Sequence, residues 1–133
     1  MPKLGILNSQ WSPQLLGLLR IVAGLLFLLH GTQKLFGFPA AMEPEQPSLL
    51  SLLGAAGLIE FLGGLLITIG LFTRLVAFIL AGEMAFAYFI GHAPTGFWPT
   101  LNQGEVAVLY CFVFLYFAAA GAGAWSVDGE RKV

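Results

Sequence analysis

The chain has 133 residues, of which 58% are hydrophobic and 10% charged, with a mean hydropathy of +0.86. An average soluble domain carries about 25% charged residues, and one this short exposes too much of its surface to hide so much apolar area; a single membrane domain covering 1–133 is expected. The formal net charge of −1 offers no clustered basic face for nucleic acid, and Cys111, the lone cysteine, excludes an internal disulfide framework, a CxxC pair or a cysteine cluster for zinc or iron–sulfur ligation.

Met1 to Pro13 is short and mixed, with Lys3, an interfacial Trp11 and a Ser12-Pro13 pair suited to a helix start. The first expected span, 14–36, carries Arg20, His30, Gln33 and Lys34. It is long enough to cross about 30 Å of hydrocarbon, but a central charge costs about 2.5–3.5 kcal/mol on insertion scales, so its polar groups need partners. Arg20 within the apolar run, and a run that continues to Phe36, argue for a retained span and not a signal peptide.

A proline-rich loop follows, with Pro39, Glu43, Pro44, Glu45 and Pro47. The second span, 49–71, is glycine-rich and carries Glu60 near its centre. Thr73 and Arg74 read as a tight turn into an antiparallel third span, 74–91, with Glu83 at mid-depth beside Phe86 and Tyr88. His92 to Gln103 reads as a loop, 104–121 as the fourth span, and Trp125 to Val133 as a polar tail. Lys3, Arg74, Arg131 and Lys132 would then share the cytoplasmic side, giving an all-α four-helix bundle, antiparallel up-down, N-in and C-in.

Counting each span from its inner end at 1.5 Å per residue puts Arg20 roughly 9 Å deep, Glu83 about 13 Å and Glu60 about 16 Å. Such a layer suggests a buried Arg20/Glu60/Glu83 triad. A second, outer layer collects His30, Gln33, Lys34, His92, Asn102, Gln103 and Glu105, in which Lys34 and Glu105 are candidates to pair. Gly17, Gly24 and Gly31 recur every seven residues with Arg20, Phe27 and Lys34 three places after each, a stripe expected to face the bundle, and Gly57, Glu60 and Gly64 form a matching face. Alternatives stand beside these readings. The triad serves equally as a structural clasp, Lys34 and Glu105 as snorkelling side chains, the glycines as packing, and His30 and His92 as proton carriers or axial haem ligands; two histidines do not by themselves specify haem.

The segments LRIVAGLLFLLHGTQKLFGF (19–38), AAGLIEFLGGLLITIGLFTR (55–74), HAPTGFWPTLNQGEVAVLYCFVFLYFAAAGAG (92–123) and WSVDGE (125–130) together resemble the DoxX family of small four-helix membrane proteins. Asn102, Gly104 and Glu105 fit the family's Asn-x-Gly-Glu pattern, while Ala122 and Ala124 stand where prolines are often seen. The resemblance implies a bacterial inner-membrane location and association with membrane oxidoreductases, since the family takes its name from a subunit of an archaeal thiosulfate:quinone oxidoreductase.

The chain has no dinucleotide, flavin, haem or metal signature, so an electron path needs a bound quinone or a redox partner protein. The leading expectation is a quinone-linked redox subunit or accessory. Arg20, Glu60 and Glu83 are its catalytic candidates, and His30, Lys34, Phe27, Tyr88 and His92 its quinone contacts, because a quinone site wants aromatic walls, a donor for a carbonyl oxygen and a carboxylate to relay the proton. Membrane lipid and a second copy of the chain are further expected partners. The rival expectation is a non-enzymatic module that carries a small molecule or lipid or scaffolds other membrane proteins.

Overall fold

The computed structural model describes Gly5 and residues 8–130. Lys3, Arg131 and Lys132, on which part of the orientation argument rests, lie outside the described residues. Among those described, the secondary structure is entirely helical: α1 (Ser12–Phe36), α2 (Leu52–Ile69), α3 (Thr73–Ala87), the single turn α4 (Pro99–Asn102), α5 (Glu105–Ala120) and a terminal turn α6 (Val127–Glu130). Helical winding continues past α3 through a wide π-type turn, Tyr88–His92, and a tight turn, Ala93–Thr95.

Three helical stretches are long and apolar enough to cross a membrane: Ser9–Phe36, Leu52–Ile69 and Thr73–Thr95. The fourth expected span is the shorter apolar helix Glu105–Ala120, whose 16 residues reach about 24 Å. The outward faces are apolar throughout; Leu18, Leu25, Leu62, Phe78, Ile79, Leu109 and Phe112 are exposed, an arrangement suited to lipid as the solvent.

Local sequence explains the boundaries. The Ser51 hydroxyl accepts from Gly54 N at 3.1 Å and starts α2 three residues later than expected. Gly70, in the left-handed conformation at φ 71°, closes α2, so the turn is 70–72 and not Thr73-Arg74. Those two residues open α3, where the Asp128 carboxylate accepts from Phe72 N and Thr73 N at 2.8 Å each.

α1 packs along α2 and α3 along α5. In the first pair small residues bring the backbones together: Gly24 lies against Thr68, Gly31 against Phe61, Gly57 against Lys34 and Gly64 against Leu28. The expected stripe is therefore the packing face, with Gly17, Arg20, Gly24, Phe27 and Gly31 all buried and opposed by buried Gly57, Glu60 and Gly64. The two pairs meet around Phe27, Ile67, Leu80, Phe114 and Phe117, with Phe27 and Phe114 edge-on at 4.9 Å.

The register of α1 on α2 overturns the depth argument. Glu60 stands level with Gly31, eleven residues and about 16 Å beyond Arg20 along α1. The ends of the spans nearest Arg20, expected to be the inner ends, are not level: α1 overhangs α2, and its first turns pack on a returning C-terminal segment. Ala124 N donates to Pro13 O at 2.9 Å, Asp128 N to Gly70 O at 2.9 Å, and Ser126 is buried. Through residue 130 the expected polar tail is thus a folded part of the inner end.

Candidate functional site

Arg20 is fully buried at that inner end. Nε donates to Ala122 O at 2.7 Å, Nη1 to Ile67 O and Thr68 O at 2.8 and 2.6 Å, and Nη2 to Ala124 O and Trp125 O at 3.0 and 2.7 Å. A guanidinium has five N–H donors, and each has found a carbonyl. Ile67 and Thr68 belong to the last turn of α2, where the helix dipole favours a cation. Arg74 repeats the device at the end of α5, donating to the carbonyls of Ala118 and Ala119. The expected Arg20/Glu60/Glu83 triad does not form, and Arg20 is a clasp between α1, α2 and the C-terminal segment.

The expected carboxylates lie instead around a cavity of about 520 Å³ in the outer half of the molecule. Its walls come from α1 (Phe27, His30, Lys34), α2 (Leu52 to Glu60), α3 and its continuation (Glu83 to His92), and the start of α5 (Val106, Ala107, Tyr110). Met42 and Gln103 complete it. Most of the lining is apolar, with a few convergent polar groups, which is the usual make-up of a ligand site.

Lys34 Nζ lies 2.8 and 2.6 Å from Glu60 Oε1 and Oε2, and the side chains are 16% and 3% exposed. The ammonium is therefore neither snorkelling nor paired with Glu105, which instead opens α5 as an acidic first-turn residue. Glu83 sits across the cavity; its Oε2 is buried and has no hydrogen-bond partner among the described residues. An unsatisfied carboxyl oxygen in an apolar surround is costly. His30, exposed toward this space, meets the Tyr110 ring edge-on at 5.9 Å. Tyr110 in turn stacks on Phe114 at 5.6 Å.

The outer loop is built around Asn102, 6% exposed. Its Nδ2 donates to Gly96 O at 2.7 Å and to Tyr88 Oη at 3.2 Å, and its Oδ1 accepts from Gly104 N at 2.8 Å. A side chain at Gly104 would collide with Asn102 Oδ1 and the Tyr88 ring, each 2.8 Å from the place of its Cβ. The Tyr88 hydroxyl donates to Phe97 O. Tyr88 therefore holds the loop and does not line the cavity, contrary to expectation. His92 lies at the rim; Nδ1 donates to Asn102 O at 3.0 Å, which leaves Nε2 as the acceptor in the neutral ring.

Of the expected contacts, Phe27, His30, Lys34, Glu60, Glu83 and His92 come together around one space, whereas Arg20 and Tyr88 do not. Tyr110 and Met42 are lining residues that the sequence reading passed over. The spacing of Val106, Tyr110, Phe114 and Phe117 on one helical face carried the signal for Tyr110. Met42 is held by a long-range contact: its N–H donates to Gln46 Oε1 at 3.1 Å, and Gln46 Nε2 donates to Gln33 O and Lys34 O at the end of α1.

A chain that is helical among its described residues, with three helices long and apolar enough to cross a membrane and exposed apolar outer faces, is an integral membrane protein. The DoxX family model matches residues 15–93, which include Arg20, Lys34, Glu60 and Glu83, and the chain belongs to the DoxX family. It is 46% identical over 126 residues to a Haemophilus influenzae protein described as uncharacterized, the match covering 92% of this chain and 94% of the relative. It is also 26% identical over 141 residues to an uncharacterized membrane protein of Mycobacterium tuberculosis, covering 92% and 84%. No solved structure matches the chain.

Proposed function

We propose that this DoxX protein is a quinone-linked redox subunit or accessory of the bacterial inner membrane, crossing it four times with both termini cytoplasmic. The observation that carries the reading is the orphaned Oε2 of Glu83, a residue that lines the same mostly apolar space as the Lys34–Glu60 pair. A volume of about 520 Å³ lies in the ordinary range for a small-molecule site. When bound, a quinone supplies an acceptor for electrons and protons, the electrons coming from a redox partner protein.

This chain's residues divide the remaining work. Lys34 and the Tyr110 hydroxyl are donors for a carbonyl oxygen, with His30 beside them. Glu83 holds and passes a proton, because its oxygen has no competing partner, and Glu60 keeps Lys34 in place. Phe27 forms the aromatic floor, and His92 with Gln103 marks the outer, water-side mouth. Arg74 at the opposite end agrees with a cytoplasmic inner face.

The test is extraction of protein purified in mild detergent, followed by identification of what it retained. A stoichiometric quinone, absent from the Lys34→Met/Glu60→Gln double variant, is the expected result; removing both partners avoids stranding a buried charge. A retained lipid with no redox chemistry, undiminished in that variant, would overturn the reading and favour carriage of a small molecule or lipid.

A further inference from the structure

We infer that the cavity opens sideways into the bilayer between α2 and α3, and that its ligand is an amphiphile whose polar head lies at Lys34, Glu60 and Glu83 while its apolar tail leaves through this gap. The tail assignment rests on the quinone reading above; the lateral opening does not.

α2 and α3 form a hairpin around the 70–72 turn. The two helices touch at Gly63, where an added Cβ would lie 2.6 Å from Leu80 Cδ2. α2 and α3 pack on each other far more sparsely than α1 on α2 or α3 on α5. The successive α2 positions Glu60, Ile59, Ala56 and Leu53 and the α3 positions Glu83, Ala87 and Ile90 all line the cavity. The hairpin is thus a V with its apex at Gly63 and Leu80, and the cavity fills the V. On the other side α1 and α5 meet through side chains, with the Phe27 and Tyr110 rings 5.1 Å apart.

Polarity divides along the same axis. The ion pair, the orphaned carboxyl oxygen and Tyr110 belong to the deep side. The arms of the V carry apolar residues that are still substantially exposed: Leu53 48%, Ile59 41%, Phe86 57% and Ile90 48%. Within a bilayer, exposure along these spans is to acyl chains, so the gap presents an apolar path from the bilayer to a polar end. A water-soluble ligand has no use for such a path. A molecule dissolved in the bilayer reaches the polar groups through it without crossing the outer loop, which Asn102 and Gln46 tie down.

Two measurements test this in protein reconstituted in lipid nanodiscs. In a Cys111→Ala background, nitroxides placed at Ala56→Cys and Ala87→Cys should collide with dissolved oxygen far more than with a water-soluble nickel chelate, matching a nitroxide at the lipid-facing Leu62→Cys. A preference for the nickel chelate at both sites would show a water-filled cavity and overturn the lateral opening, whether or not a quinone binds. For the tail, Ala56→Trp and Ala87→Trp should weaken binding of decylubiquinone by about tenfold or more. The same variants should weaken the tail-less dimethoxy-methyl-benzoquinone by less than about threefold. Equal weakening of both would overturn the tail assignment. Binding of neither compound by the unsubstituted protein would overturn the quinone reading, and the nitroxide result would still decide the opening.

Discussion

Buried ionisable groups are treated in opposite ways at the inner end and in the outer cavity. At the inner end a fully buried guanidinium has each of its donors on a carbonyl, drawn from the last turn of α2 and the C-terminal segment. In the cavity Lys34 spends two of its three donors on Glu60 and keeps the third, and Glu83 keeps an oxygen without a partner among the described residues. A polar group that closes every valence on its own chain holds the fold and has nothing left for a ligand. A group that leaves one open in an apolar surround is being kept in an unfavourable state by its neighbours, and that is the mark of a working residue. The ionisable residues looked alike along the sequence; their partners separate them.

The largest effect expected from this contrast is at the clasp. An orphaned buried acceptor costs about 1–3 kcal/mol, so Arg20→Met, which strips the donor from five carbonyls, should lower stability by about 4 kcal/mol or more even after partial rehydration. Arg20→Lys should recover only part, because an ammonium has three donors and no planar fork. Denaturation in mixed micelles reads both. A loss below about 1 kcal/mol in Arg20→Met would mean that the inner end stands without its guanidinium, and the contrast would fail.

Next comes the ion pair. Lys34→Met leaves Glu60 buried without its partner and should cost about 3–5 kcal/mol, whereas Lys34→Met/Glu60→Gln together should come within about 1–2 kcal/mol of the parent. A double variant as unstable as the single one would show that the pair is worth more to the fold than its isosteric replacement, and would move Lys34 and Glu60 to the structural side of the comparison. The seam is tested by Gly31→Val, whose side chain would meet Phe61 N at 2.5 Å; overpacking of about 1–3 kcal/mol is expected from the same denaturation.

These residues also show what was legible in advance. The glycine seam is a local period on one helix and could be read directly, since Gly17, Gly24 and Gly31 keep their spacing whatever lies opposite. The membrane class follows from composition for the same reason. The register between α1 and α2 is a long-range quantity, set by an overhang that depends on the C-terminal segment folding back, and nothing near Arg20 announces Ala122, Ala124 or Trp125 as its partners. Treating the inner ends as level brought Arg20 to the carboxylates and assigned Lys34 to Glu105. Tyr88 was misread because its aromatic ring suggested a wall, while its hydroxyl is engaged with Phe97 and Asn102.

Glu83→Gln should disturb the fold least and the function most. The amide keeps the shape of the carboxyl, and since no hydrogen bond to Oε2 is lost, stability should stay within about 0.5 kcal/mol of the parent. An amide cannot carry a proton between water and a ligand. Quinone retention should therefore survive in this variant while quinone reduction by the partner falls by about 100-fold, the lower range for losing a general acid–base group. Arg20→Lys is the comparison that gives the result meaning: it should lose stability and keep its turnover per folded molecule, the reverse of Glu83→Gln. If both variants instead lose stability and turnover together, the two ends of the molecule are one cooperative unit, and the division between a closed clasp and an open site does not hold.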